Sequence, residues 1–354
     1  MIRPFHPTLR LAVLALGLHA WQAQAQTPPP AIAPAGKPWS TGAGFEFADQ
    51  QKKTRQSVSG IACAPNAAGV RMCLVVFDEG TQARFAEVDA GRVVPQPGGV
   101  LFGVPGKELD AEGAATDGRF FYVTGSHAVK RSDCAPNEAS QYVLRFARDG
   151  ATGQALPPAP GAVTPGGYQH TRRLRALFAN DFQLQPSLGV GRCLGTGALD
   201  IEALAVRDGR LHFGLRGPTE ADHAFIASVD ADAFFSGADA GLTVTRVPVG
   251  YRRGLRDMAV VPQGILLLAG PDDHPDSRDA GWAVSLWDDK SAGRLAAPRL
   301  LATLDLRTVA RSKCDDDTKP EAMALLEETA QAYRVLVLSD GMCDGGPLVF
   351  DIPR

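Results

Sequence analysis

Carboxylates recur in this chain at the heads of short apolar stretches: Asp110 and Glu112, Asp200 and Glu202, Asp257, and Glu321. Gathered at one centre they could hold Ca²⁺, a hard cation that takes about 6–8 oxygen ligands. They could equally do acid–base work, because close like charges push pKa values apart and leave one carboxyl protonated beside an ionised one. The plainer alternative is that each caps backbone N–H groups or pairs with Arg216, Arg256 or Lys319, as structural ion pairs do. His127 reads as a single general base or proton shuttle, or as a hydrogen-bonded rim histidine, and Arg216 as a clamp for an anion. Ser126 is no nucleophile for His127, since adjacent strand residues face opposite ways and no G-x-S-x-G elbow occurs. Past residue 25 the histidines are 127, 170, 212, 223 and 274, without H-E-x-x-H spacing, which disfavours zinc. No phosphate-cradling or dinucleotide glycine loop is present. The acidic loops Pro271–Gly281 and Asp315–Asp317 lack EF-hand spacing and read as solvated, with a peripheral Ca²⁺ site as the alternative.

The stretches that carry these residues are copies of one unit. Asp200-Ile-Glu202, a run of small residues, a turn at Asp208-Gly209 and an apolar strand to Arg216 recur at 110–127, with a turn at Asp117-Gly118. Looser copies run through 254–271 and 319–341, and a degenerate one through 59–79. Each copy is an apolar strand, a tight turn needing positive φ, and a second apolar strand. Strands apolar on both faces must be covered on both sides. Alanine and glycine in the first strand of each copy suit the crowded centre of a β-propeller. Outer-strand candidates are 141–146, 224–229, 242–247, 283–287, 299–304 and 347–352. Anchors at Gly60, Glu112, Glu202, Asp257 and Glu321 are 52, 90, 55 and 64 residues apart, against about 40–50 for a four-stranded blade. The chain therefore predicts an all-β propeller of about five four-stranded blades. The alternative is six, with the second blade of the 90-residue interval replacing an insertion around 151–195 that contains a short helix at Thr171–Phe178. The last copy is one strand short, and Gly44–Phe47 is expected to supply that strand and close the ring.

If an inner strand begins at an acidic residue and turns back, its partner must end on the starting side. One rim should then gather Asp110, Glu112, Asp200, Glu202, Arg256, Asp257, Lys319 and Glu321 with Asp78, Glu79, Ser126, His127, Arg216, Asp272, Asp273 and Asp340. Loops held on such a scaffold are where binding concentrates. Blade order also pairs the six cysteines. Cys63 should face Cys73 across a hairpin, Cys134–Cys193 should pin the insertion, and Cys314–Cys343 should bridge the start and end of the last pair. By loop closure each contributes about 2–4 kcal/mol.

Arg3 and Arg10, the apolar run Leu11–Leu18 and Ala23-Gln24-Ala25 read as a signal peptide cleaved after Ala25. A Pro-rich leader at 26–43 and a single domain at 44–354 follow. The expected address is periplasmic or secreted, where six cysteines form disulfides. The formal charge is −3, and loss of Arg3 and Arg10 takes it to −5. That argues against nucleic acid and anionic membranes, and no stretch is long enough to span a bilayer. A monomer is expected.

The ordered set Glu112-Gly…Gly125-Ser-His127, Ile201-Glu-Ala-Leu-Ala…Gly214-Leu-Arg-Gly-Pro218, Gly254-Leu-Arg-Asp257…Ala269-Gly-Pro271 and Lys319-Pro-Glu321-Ala resembles the bacterial family catalogued as domain of unknown function 3616. The match covers roughly residues 55–352, and the family is similar in pattern to phytase-like and esterase-like exported propellers. The resemblance implies a fold and an exported address, and no particular reaction. Ala203 and Ala322 stand where glycine commonly follows the glutamate, and the first copy has no acid at that place. Two functions are expected on these grounds. One is a ligand- or partner-binding module with an acidic, disulfide-pinned face, using Glu112, Glu202, Asp257, Glu321, Arg256 and Lys319. The other is a Ca²⁺-assisted hydrolase of phosphate esters, esters or lactones, with Glu112, Glu202, Asp257 and Glu321 as ligands or bases, His127 as shuttle and Arg216 holding an anion.

Overall fold

The computed structural model describes Met1, 29–48, 50–103, 108–157, 168–189, 191–290 and 295–354. The expected signal peptide past Met1 and the middle of the expected insertion lie outside these residues. Short, nearly continuous apolar runs build five sheets, each with an antiparallel set of blade strands. After the short strand β1 (Ala31–Ile32), blade one is β2 (Val58–Pro65), β3 (Arg71–Phe77), β4 (Gln82–Asp89) and β5 (Arg92–Leu101). Blade two is β6 (Ala111–Thr116), β7 (Phe120–Gly125), β8 (Val143–Ala147) and β9 (Gln169–Thr171). Blade three is β10 (Asp200–Arg207), β11 (Arg210–Gly217), β12 (His223–Asp230) and β13 (Thr243–Pro248). Blade four is β14 (Arg253–Val261), β15 (Gly264–Pro271), β16 (Trp282–Trp287) and β17 (Arg299–Leu304), and blade five is β18 (Lys319–Glu328), β19 (Ala332–Asp340) and β20 (Leu348–Pro353). The innermost strands neighbour one another in a closed ring, β2 to β6, β10, β14, β18 and back to β2.

The five blades are held by five apolar clusters, one at each blade–blade interface. The two-residue period of a strand supplies both sides of each sheet. In β3, Met72, Leu74 and Val76 pack on blade two, whereas Cys73, Val75 and Phe77 pack on blade five. In β19, Val335 and Val337 face blade four, and Leu336 and Leu338 face blade one. This is the two-sided covering that the uninterrupted apolar runs require.

The long interval holds one blade. Its fourth strand, β9, falls inside the segment expected as an insertion, and α1 (Leu174–Phe178) follows it and buries Leu174 and Phe178. The three disulfides join Cys63–Cys73, Cys134–Cys193 and Cys314–Cys343, the expected pairs. Closure differs from expectation. Gly44–Phe47 forms no strand, and blade five keeps three. Phe45 instead buries its ring at the blade five–blade one interface, and its N–H donates to Asp344 Oδ1 at 2.9 Å. Farther upstream, Ala35 and Trp39 N–H groups donate to the carbonyls of Val349 and Pro347, and β1 adds to the outer edge of blade four, parallel to β17. The ring is thus sealed by a side chain and an irregular strap.

Candidate functional site at the axial mouth

Each innermost strand carries a β-bulge at one place in its ladder. The register skips Ser59, Glu112, Glu202, Arg256 and Glu321, one residue per blade. A bulge leaves its extra residue outside the ladder and re-aims the side chain. Glu112, Glu202, Arg256 and Glu321 consequently line one cavity of about 820 Å³ at the axis. Ser59 is buried, and blade one instead contributes Asp78, just past β3. A second bulge, on β11, turns out Arg216 to the same cavity.

The residue after each bulge meets the next blade. A Cβ on Gly60 would lie 2.7 Å from the Glu112 carbonyl oxygen, and one on Gly113 would lie 2.7 Å from Leu204 Cβ. Asp257 occupies this crowded position in blade four, not the bulge. Its carboxylate accepts the N–H groups of Met258 and of Met323 in blade five, and it is not among the cavity-lining residues. Burial pushes its pKa well above the usual range, against those two hydrogen bonds. The expected ring of four acids is therefore three acids and Arg256.

That arginine organises one half of the mouth. Arg256 Nε lies 2.7 Å from Glu202 Oε2, an ion pair without hydrogen-bond alignment, and Arg256 Nη2 contacts Glu321 Oε1. Glu202 Oε1 accepts from Arg216 Nη1 at 2.7 Å, and Arg216 Nη2 lies 3.1 Å from Asp273. Burial works against the charge on Arg216, but Glu202, Asp273 and Asp200 outweigh it and raise its pKa. Burial and the neighbouring Arg216 lower that of Arg256, opposed by Glu202, Asp200 and Glu112. Trp282 lies against Arg256, whose guanidinium carbon is 5.7 Å from the ring centroid. Lys319 Nζ donates to Asp340 Oδ2 at 2.7 Å.

The other half has one lining cation, Arg131, which ion-pairs with neither Glu112 nor Asp78 among the described residues. Glu112 is 8% exposed and has no hydrogen-bond or ion-pair partner among the described residues. Burial pushes its carboxyl well above the usual range, and the charges of Glu202, Asp110, Asp78 and Asp200 push the same way. Asp78 has a covered, unpartnered Oδ1, and burial with Asp340, Asp110 and Glu79 raises its pKa to about 8. Asp110 accepts from the Ser126 hydroxyl and does not line the cavity.

His127 is fully buried at a positive φ of 55° and is not among the cavity-lining residues. Among the described residues both ring nitrogens lack partners, and burial plus Arg175 and Arg172 lower its pKa to about 3. Trp282 and Arg131 line the cavity and were not anticipated. Trp282, at the rim end of an outer strand, was the available signal. The acidic loops satisfy themselves: Asp272 accepts from Thr219 and from the His274 N–H, and Asp315 accepts from the Ser312 and Cys343 N–H groups. Among the described residues no group of three or more His, Cys, Asp and Glu is arranged to hold a metal. The residues do not fit a Ca²⁺ ion between Glu202 and Glu321, because the Arg256 guanidinium already contacts both. No helix among the described residues is long and apolar enough to cross a membrane.

A family model described as "Protein of unknown function (DUF3616)" matches residues 100–148 and 166–344. No curated protein matches the chain. Among solved structures, a glycosyl hydrolase from Bacteroides ovatus is 13% identical, covering 92% of this chain and 93% of its own, with a TM-score of 0.44. A calcium-binding protein, regucalcin, from Agrobacterium tumefaciens is 13% identical over 91% of this chain and 95% of its own, at TM-score 0.39. A GH43_1 enzyme from Xanthomonas citri is 10% identical over 85% and 88%, at 0.43. Likeness at this level says nothing about the chemistry of the axial mouth.

Proposed function

The chain belongs to the family described as protein of unknown function (DUF3616), and we propose that within this propeller the axial mouth binds a small polar ligand. The observation that carries this reading is Glu112, a carboxyl nine-tenths buried and turned into the cavity without a partner. Buried polar groups ordinarily have hydrogen-bond partners, so a ligand is the group that would complete it. The cavity, about 820 Å³, falls in the range of small-molecule sites, about 300–1,000 Å³. Asp78, Arg216 and Lys319 would orient the ligand from the wall. The disulfides Cys134–Cys193 and Cys314–Cys343 hold loops beside this face.

One observation favours a second reading. Glu112 is pushed toward the protonated form beside Glu202, which two arginines contact. A neutral acid next to an ion-paired carboxylate is the arrangement of a general acid with its charged neighbour, suited to hydrolysis of phosphate esters, esters or lactones.

A thermal-shift panel of small cations, polyols and carboxylic acids, run with chromogenic esters, tests both. Ligand binding raises the melting temperature through mass action. A shift abolished in Glu112→Gln supports binding, and turnover abolished in the same variant supports hydrolysis. No shift and no turnover across the panel would sink both.

A further inference from the structure

We propose that the ligand of the axial mouth carries an ammonium or guanidinium group, seated between Glu112 and Asp78; this deepens the ligand-binding reading above and rests on it. The cavity wall holds eight carboxylates against five arginines and lysines. The shortage of positive charge is not spread evenly, and Arg131, which lines the cavity and acts on Asp110 beside this corner, ion-pairs with neither Glu112 nor Asp78 among the described residues. Glu202, Glu321, Asp273 and Asp340 each contact an arginine or lysine. Among the described residues Glu112 has no partner, and Asp78 Oδ1 is covered and bare although Ser57 hydrogen-bonds the same carboxyl. Both line the same cavity. Buried carboxylates are costly unless paired, so this corner is complete only when a cation enters.

Chemistry separates the possible cations. Ca²⁺ needs about 6–8 oxygens, and among the described residues only the carboxyls of Glu112 and Asp78 line this corner without an ion pair. An ammonium or guanidinium group has three or five N–H donors and needs few acceptors. Its carbon skeleton would extend toward Trp282, whose ring already faces the Arg256 cation.

The consequence is a proton count. Burial and neighbouring acids favour the protonated carboxyl at Glu112 and Asp78 in the empty mouth. A ligand cation favours the carboxylate. Binding near neutral pH should therefore expel protons from these carboxyls to solvent, and affinity should rise with pH.

Calorimetric titration of the full chain with agmatine and putrescine, with sorbitol, succinate and Ca²⁺ alone as comparison probes, tests the proposal. Proton release is followed in weakly buffered solution with a pH indicator. The expected result is binding of an amine probe with release of about one proton, weakened at least about tenfold in Glu112→Gln and in Asp78→Asn. Glu112→Asp, which keeps the charge, should retain proton release and guards against a merely misfolded Gln variant. Amine binding insensitive to Glu112→Gln, or Ca²⁺ binding that depends on Glu112, overturns the proposal. Binding of sorbitol or succinate without amines overturns it while leaving the ligand-binding reading intact. No binding by any probe overturns both.

Discussion

The two halves of the axial mouth are built by the same device and end in opposite electrostatic states. On the side of blades three to five, the bulges present Glu202, Arg256 and Glu321, and these satisfy one another together with Arg216 and Asp273. On the side of blades one and two, the bulges present Ser59 and Glu112, and blade one adds another acid, Asp78, to the cavity wall. The difference comes from one residue. With an acid at position 256 the ring would repel itself throughout; with arginine there, half of it becomes a closed network and the strain collects at Glu112. A closed network supports the scaffold, and an open corner is available to a ligand.

The largest effect should follow from breaking the closed half. Removing one partner from a buried ion pair costs about 3–5 kcal/mol. Glu202→Gln strips a carboxylate from two arginines, although Arg216 keeps Asp273 and Arg256 keeps Glu321. A loss near the lower end, about 3 kcal/mol, is expected by urea denaturation. A change below about 0.5 kcal/mol would show that the network contributes no more than an exposed ion pair. Arg256→Gln should cost less than Glu202→Gln, because it also removes a buried cation that Arg216 repels. It sharpens the comparison in a second way. Freed of the guanidinium, Glu112, Glu202 and Glu321 form an acidic cluster, so millimolar Ca²⁺ should raise the melting temperature of Arg256→Gln more than that of the unaltered chain. Equal shifts would mean that Arg256 does not govern access of cations to the ring.

Much of the architecture was legible because short uninterrupted apolar runs are a strong signal and blade interfaces use both of their faces. The five repeats, most of the outer strands and all three disulfides follow from Phe120–Thr124, Ile265–Ala269 and their counterparts read as two-sided strands. What escaped was a shift of one residue. Aligning acids placed Asp257 with Glu202, whereas the ladder aligns Leu255-Arg256 with Ile201-Glu202. The apolar residue before each bulge sets the register, since it still pairs in the ladder. In blade four the acid is displaced to the next position, where it ties two backbone strands together. Closure escaped for a different reason: Phe45 contributes one buried ring and Trp39 one backbone donor, and neither leaves a periodic trace. His127 escaped because the chain turns at positive φ immediately past β7, which no spacing announces.

The smallest effect belongs to the open corner, and its sign is fixed by titration. Asp78 is pushed up to about 8 in the folded chain, first by burial and then by Asp340, Asp110 and Glu79; unfolded, it titrates near the ordinary value, about 3.9. Between those limits the folded state holds a proton that the unfolded state has lost. The stabilisation from this group is therefore complete below about pH 4 and is lost as pH rises through about 8. Asp78→Asn mimics the protonated form and should flatten that decline. At pH 9 it should melt about 2–4 °C higher than the unaltered chain, corresponding to about 1 kcal/mol, while at pH 4 the two should melt together. Parallel pH profiles would mean that Asp78 does not hold the extra proton of the folded chain. If a bound amine reproduces the flattening in the unaltered chain and adds nothing to Asp78→Asn, the open half of the mouth is a cation site in its own right, distinguished from the closed half by what Arg256, Arg216 and Lys319 supply there.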